Sequence, residues 1–115
     1  MGKRTSKHVS LSTHFTNLRD MFWHIWANQP HYSLISGQPL GRIAKAHYFA
    51  HVLSRAAYPN YKFYPGNIIL MTMEEHHIYD RQTDKARRDP QYDWLFLYAE
   101  HLKTKYYNDK RSLYS

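Results

Sequence analysis

The sequence contains no cysteine. Disulfides are thereby excluded, as is any zinc site built on thiolates, and cysteine usage says nothing about compartment. Long hydrophobic runs are missing as well. The opening stretch, Met1 to Ser10, is basic and polar, with nothing that would serve as a signal peptide or a membrane span. A soluble protein of the cell interior, cytoplasmic and without a membrane partner, is the expectation. Acidic residues are absent from the entire stretch between Asp20 and Glu74, where Arg42, Lys45, Arg55 and Lys62 fall. The chain shows no internal repeat and no low-complexity segment.

What is present follows from that imbalance. The net charge is +7 and the isoelectric point near 9.7. From Glu74 onward eight acids balance eight bases, so the excess positive charge belongs to residues 1–73. A one-sided basic field suits a polyanion, because Lys and Arg contacts to phosphate release counterions; a merely solubilising surface is the plain alternative. Tyrosine supplies 11 residues, and mean hydropathy is −0.75, so the apolar stock is modest. At 115 residues the chain is too short to divide into two self-sufficient cores. The expected organisation is a basic arm over residues 1–11 and a single domain over 12–115.

Local patterns give the elements. Ser12 or Thr13 can cap a helix in which Phe15, Leu18, Phe22, Ile25 and Trp26 recur at helical spacing, ended by Asn28-Gln29-Pro30. Residues 46–53 are aromatic and β-branched and read as a strand. Residues 54–66 hold Pro59, Asn60, Pro65 and Gly66 and read as a long ordered loop, and Ile68 to Met71 as a second strand. Thr72-Met73-Glu74-Glu75 has the form of a capping box, which predicts a helix from about Met73 to Arg81. A charged loop over 82–89 leads to Asp89-Pro90, a cap and first-turn pair for a last helix whose buried stripe is Leu95, Tyr98, Leu102 and Tyr106. Arg87-Arg88 and Lys103 to Lys105 read as solvated faces.

The residues that could carry chemistry are His51, Asn67, His76 and Asp80. His76 and Asp80 stand four apart and so project from one face of their helix, a pairing of imidazole and carboxylate suited to a divalent cation. His77 is a rival ligand, but the residue four further on is Arg81, a poor companion for a cation. His51 arrives from another element. Hydrolysis of a phosphodiester needs a base for water and a cation to offset phosphate charge, and this set offers both. The plain alternatives are a packed strand histidine, a turn asparagine, and polar residues on a helix surface.

The stretch AHVLSRAAYPNYKFYPGNIILMTMEEHHIYD resembles the HNH, or ββα-metal, endonucleases, with a likeness that covers roughly residues 31–82. That resemblance implies an α+β fold: a treble-clef-like ββα-metal core with flanking N-terminal and C-terminal helices. It implies His51 as general base, Asn67 as a residue that positions the loop or His51, and His76 with Asp80 as metal ligands. It implies one divalent ion, magnesium or manganese, with zinc or nickel also accepted, and DNA as partner of a monomer or homodimer. Arg55 and Lys62 are the expected phosphate contacts. A phage, mobile-element or host-defence setting accompanies the family.

Two departures stand out. Ser33-Leu34-Ile35-Ser36-Gly37-Gln38-Pro39-Leu40 is similar to a Cys-x-x-Cys-Gly-Lys-Pro-Leu zinc knuckle with serine at both cysteine positions, and Thr72 and Glu75 stand where the second pair would be. No structural zinc is expected; the first helix and the aromatic residues are expected to stabilise the domain instead. Ala50 occupies the position before the base, where many relatives carry a ligand. His47, on the same face as His51 in a continuous strand, is a conceivable substitute. These departures keep open a catalytically inactive nucleic-acid-binding module on the same scaffold and, more distantly, a purely structural interaction protein.

Overall fold

The computed structural model describes residues 15–114, and the side chains of residues 15–110. The basic arm and the caps expected at Ser12 or Thr13 lie outside the described residues. Helix α1 runs from Leu18 to Asn28, and Asn17 caps it by accepting a hydrogen bond from the Asp20 amide at 2.8 Å. Phe15 therefore precedes the helix instead of joining its stripe; its amide donates to the Phe63 carbonyl at 3.0 Å. Met21, Ile25 and Trp26 are the buried face of α1, and Phe22 stacks on Phe49 at 4.3 Å with the rings nearly parallel.

The expected strand over 46–53 is much shorter. Ala46–Tyr48 form a 3₁₀ turn, and strand β1 is Phe49–His51. It pairs antiparallel with β2, Ile68–Leu70, in the register Phe49↔Leu70, Ala50↔Ile69 and His51↔Ile68. Single bonds extend the ladder at each end, from the Met71 amide to the Tyr48 carbonyl and from the Val52 amide to the Asn67 carbonyl. Alternation along the hairpin divides the core in two. Phe49, Ile68 and Leu70 join Met21, Ile25, Trp26 and Leu40 on the α1 side. Ala50 and Ile69 join Met71, Leu53 and the residues of the last helix on the other.

Helix α2, Met73–Arg81, starts as expected: the Thr72 hydroxyl accepts from the Glu75 amide and the Glu75 carboxylate accepts from the Thr72 amide. The segment expected as a charged loop instead holds a short helix α3, Thr83–Arg87. Its anchor is Ala86, fully buried in the main core among otherwise exposed polar neighbours. Asp89 caps a 3₁₀ turn at Pro90–Tyr92, which runs directly into α4, Asp93–Tyr114. Leu95, Ala99, Leu102 and Tyr106 are the buried stripe of α4; Tyr98 is half-buried and donates to the Gly66 carbonyl. The described residues thus form an α+β arrangement of four α-helices and a two-stranded antiparallel sheet. No helix among them is long and apolar enough to cross a membrane.

Ser33, Ser36, Thr72 and Glu75 meet in space. Ser33 donates through Oγ to Glu75 Oε1 at 2.5 Å, although the two lie 42 residues apart. The same hydroxyl accepts from the Ile35 and Ser36 amides, and the Glu75 oxygen also accepts from the Thr72 amide. Gly37 completes the turn at φ +80°, a conformation glycine adopts without penalty. Burial pushes the Glu75 carboxyl upward, but hydrogen bonds from Ser33, Ser36 and Thr72 together outweigh it and hold the pKa below its ordinary value. A knot of hydrogen bonds, rather than α1 and the aromatic residues alone, ties the 33–40 turn to the start of α2.

Candidate functional site

A groove of about 1240 Å³ opens between the hairpin and the helices, and His51, Arg55, His76, Tyr79 and Asp80 all line it. The hairpin and the capping box determine who meets there. β1 ends on His51, so its imidazole leaves the sheet at the edge, half-buried. The capping box fixes where α2 begins and hence where its second turn presents His76 and Asp80.

The hydrogen bonds of the two imidazoles decide their chemistry. His51 Nε2 lies 2.9 Å from the Lys62 carbonyl. A carbonyl only accepts, so Nε2 carries the hydrogen and the neutral ring keeps its lone pair on Nδ1, which has no hydrogen-bond partner among the described residues. Burial lowers the His51 pKa; the Lys62 bond works against this, and Arg55 and His76 reinforce it while Asp80 opposes. The ring is therefore a neutral base at pH 7.

His76 is placed differently, with an acceptor at each nitrogen, so that its Nε2 donates to Asp80 when protonated and is open to an ion when not. Its Nδ1 donates to the His47 carbonyl at 2.8 Å, which leaves Nε2 facing Asp80 Oδ2 at 3.0 Å. The bond to Asp80 raises the His76 pKa, burial lowers it, and the His47 carbonyl raises it, with a net rise. Two donors bound at about 2.1 Å to an octahedral ion and at right angles stand about 3 Å apart. The His76–Asp80 separation fits that spacing, and an imidazole whose second nitrogen donates to a carbonyl is the usual disposition of a metal-bound histidine. Among the described residues no group of three or more His, Cys, Asp or Glu side chains converges, so these two are the side-chain donors on offer there.

The remaining expected residues fall as follows. Asn67 does not enter the groove. It is fully buried, accepts from the Leu53 amide at 2.8 Å and donates to the carbonyls of Leu53 at 3.0 Å and Tyr61 at 3.3 Å. It clasps both ends of the 53–61 loop and, through Tyr61, steadies the neighbouring Lys62 carbonyl that orients His51. Lys62 serves the site through that carbonyl, while its ammonium lies over the Phe63 ring at 5.1 Å. Arg55 lines the groove with its side chain exposed.

The expectation that His47 shares a strand face with His51 does not hold, because the strand begins only at Phe49. His47 lies in the 3₁₀ turn, its ring set edge-on to Tyr48 at 4.9 Å, and it contributes its backbone carbonyl. Ala50 is fully buried in the main core, so its position points away from the groove.

Several residues read from sequence as core or solvated face also line the groove. Tyr79 donates to the Val52 carbonyl at 2.8 Å, and burial pushes its hydroxyl up to about 12. Arg87 and Lys103, expected on solvated faces, line it too. No periodicity marks them; only the folding of α3 and α4 against the hairpin brings them in.

No family model matches the chain, and no curated protein or solved structure proves similar to it.

Proposed function

We propose that the protein is a metal-dependent endonuclease that hydrolyses DNA phosphodiester bonds, on an HNH-type site. The carrying observation is the division of labour between two histidines in one groove: His51 presents a free Nδ1, and His76 presents Nε2 beside the Asp80 carboxylate. His51 Nδ1 takes the proton of the attacking water, and the Lys62 carbonyl steadies the imidazolium that results. His76 and Asp80 would hold a divalent ion, magnesium or manganese by the chemistry of the donors, and zinc or nickel in a less selective setting. Such an ion, when bound, offsets charge on the phosphate and the departing oxygen. Arg55 adds a cation to the same groove. The meeting of Ser33, Ser36, Thr72 and Glu75 at the places of the zinc cysteines also supports the resemblance.

A second reading, a nucleic-acid-binding module that does not cut, is favoured by Ala50. Its position is buried and carries no donor, which leaves an ion only the pair from α2. Incubation of the purified protein with supercoiled plasmid and magnesium or manganese separates the two. Nicking that requires metal and falls by about two to four orders of magnitude in His51→Ala is the expected result. Equal behaviour of wild type and variant, with binding but no nicking, would establish the module instead.

A further inference from the structure

The basic side chains that line the groove are unevenly committed. Lys103 is paired with Glu100 at 3.0 Å, whereas Arg55, Arg81 and Arg87 form no ion pair with any described residue. The groove's other acids do not change this: Glu100 is held by Lys103, Asp80 faces His76, and Asp93 makes no ion pair with Arg87. Yet Arg87 is held in place. Its guanidinium lies 4.3 Å over the Phe96 ring, and Phe96 packs against Tyr79 at 5.7 Å, itself anchored to the Val52 carbonyl. The ring contact uses no N–H group of the guanidinium in a hydrogen bond, and none of them bonds to another described residue, so they are free for a bidentate acceptor. A planar fork already oriented, unpaired and set in a groove suits one ligand class above others, the phosphate of a polynucleotide backbone.

Resting on the nucleic-acid reading of this groove, we propose that Arg87 on its Phe96 platform is a second phosphate subsite. It lies apart from the one served by Arg55. Arg55 stands in the loop after β1, four residues past His51, while Arg87 ends α3 and lies against a ring of α4. Arg55 thus serves the phosphate facing the base, and Arg87 holds a phosphate further along the same strand.

The test is equilibrium binding of the full chain to a fluorescent DNA duplex, in EDTA so that nothing is cut, over a series of salt concentrations. Arg87→Ala is expected to bind about tenfold more weakly and to lower the slope of log affinity against log salt by about 0.9, the signature of one lost phosphate contact. Arg88→Ala, one residue on, exposed and outside the groove, leaves the slope unchanged. Phe96→Leu keeps the slope and loses affinity, since the charge stays but its platform goes. Circular dichroism checks each fold, and Arg87→Gln repeats the measurement should the alanine variant unfold. An unchanged slope in the Arg87 variants, an equal loss in Arg88→Ala, or no binding by the wild type overturns the proposal. If nicking is absent while the slope still drops, the nuclease reading fails and the subsite stands; nicking with an unchanged slope gives the reverse.

Discussion

A single ring nitrogen governs the chemistry proposed for His51. Because burial and the nearby Arg55 and His76 lower its pKa, the ring sheds its proton below the ordinary value of 6.5. The neutral form is the base, so nicking in saturating metal should rise with pH and level off with a midpoint below 6.5. Arg55 lowers that pKa, so Arg55→Ala should move the midpoint upward. Initial rates between about pH 5 and 8 measure both; a midpoint that stays put in the variant would show that the groove field does not act on the base. His47 gives a contrasting expectation. It offers His76 a backbone carbonyl, which any side chain supplies, so His47→Ala should retain metal-dependent nicking within a few-fold while His76→Ala loses it. Loss in both would mean that the His47 ring has a part the hydrogen bonds do not reveal.

At the scale of elements, two buried polar groups do the fastening. Removal of the Asn67 amide orphans the Leu53 amide and carbonyl in the interior, so Asn67→Ala should cost about 3 kcal/mol in chemical denaturation. The Glu75 knot carries a pH signature. Its folded pKa lies below the unfolded value, so its contribution is present above the unfolded pKa and vanishes as pH falls through the folded one. Stability should therefore decline on acidification below about pH 4.5, and Glu75→Gln should be less stable at neutral pH and flatten that decline. An unchanged acid limb in the variant would refute the knot. The capping-box half of this arrangement was legible because Thr72 and Glu75 are neighbours in sequence. Ser33 was legible only as a place in a motif, for its partner is 42 residues away. The same distinction explains α3. Ala86 looks like any residue of a charged loop until the core it fills exists. It also explains the site: side chains such as His51, His76 and Asp80 announce themselves, whereas the carbonyls of His47 and Lys62 that orient them, and the ring beneath Arg87, have no sequence signature.

At the scale of the whole molecule, the packing of the hairpin and the hydrogen bonds of the 33–40 turn bear on whether folding depends on metal. The hairpin is shared between two cores, one against α1 and one against α4, and hydrogen bonds tie the turn at 33–40, whose Ile35 and Leu40 enter those cores, to the start of α2. These ties, made among described residues, lie apart from the ion proposed at His76 and Asp80, which would bear on the surface of α2. Folding and metal binding should then be separable. Chelation with EDTA should leave far-UV circular dichroism and the cooperative melting transition in place. Added manganese should raise Tm by mass action, and the shift should disappear in His76→Ala with Asp80→Ala. The raised pKa of His76 sets the sign of the pH effect: a proton on Nε2 competes with the ion, so the manganese-induced shift should grow as pH rises through that pKa. Scanning calorimetry at several pH values reads all three quantities. A chain that melts out on chelation would place a folding metal where hydrogen bonds now stand, and a shift indifferent to the double substitution would move the ion away from α2.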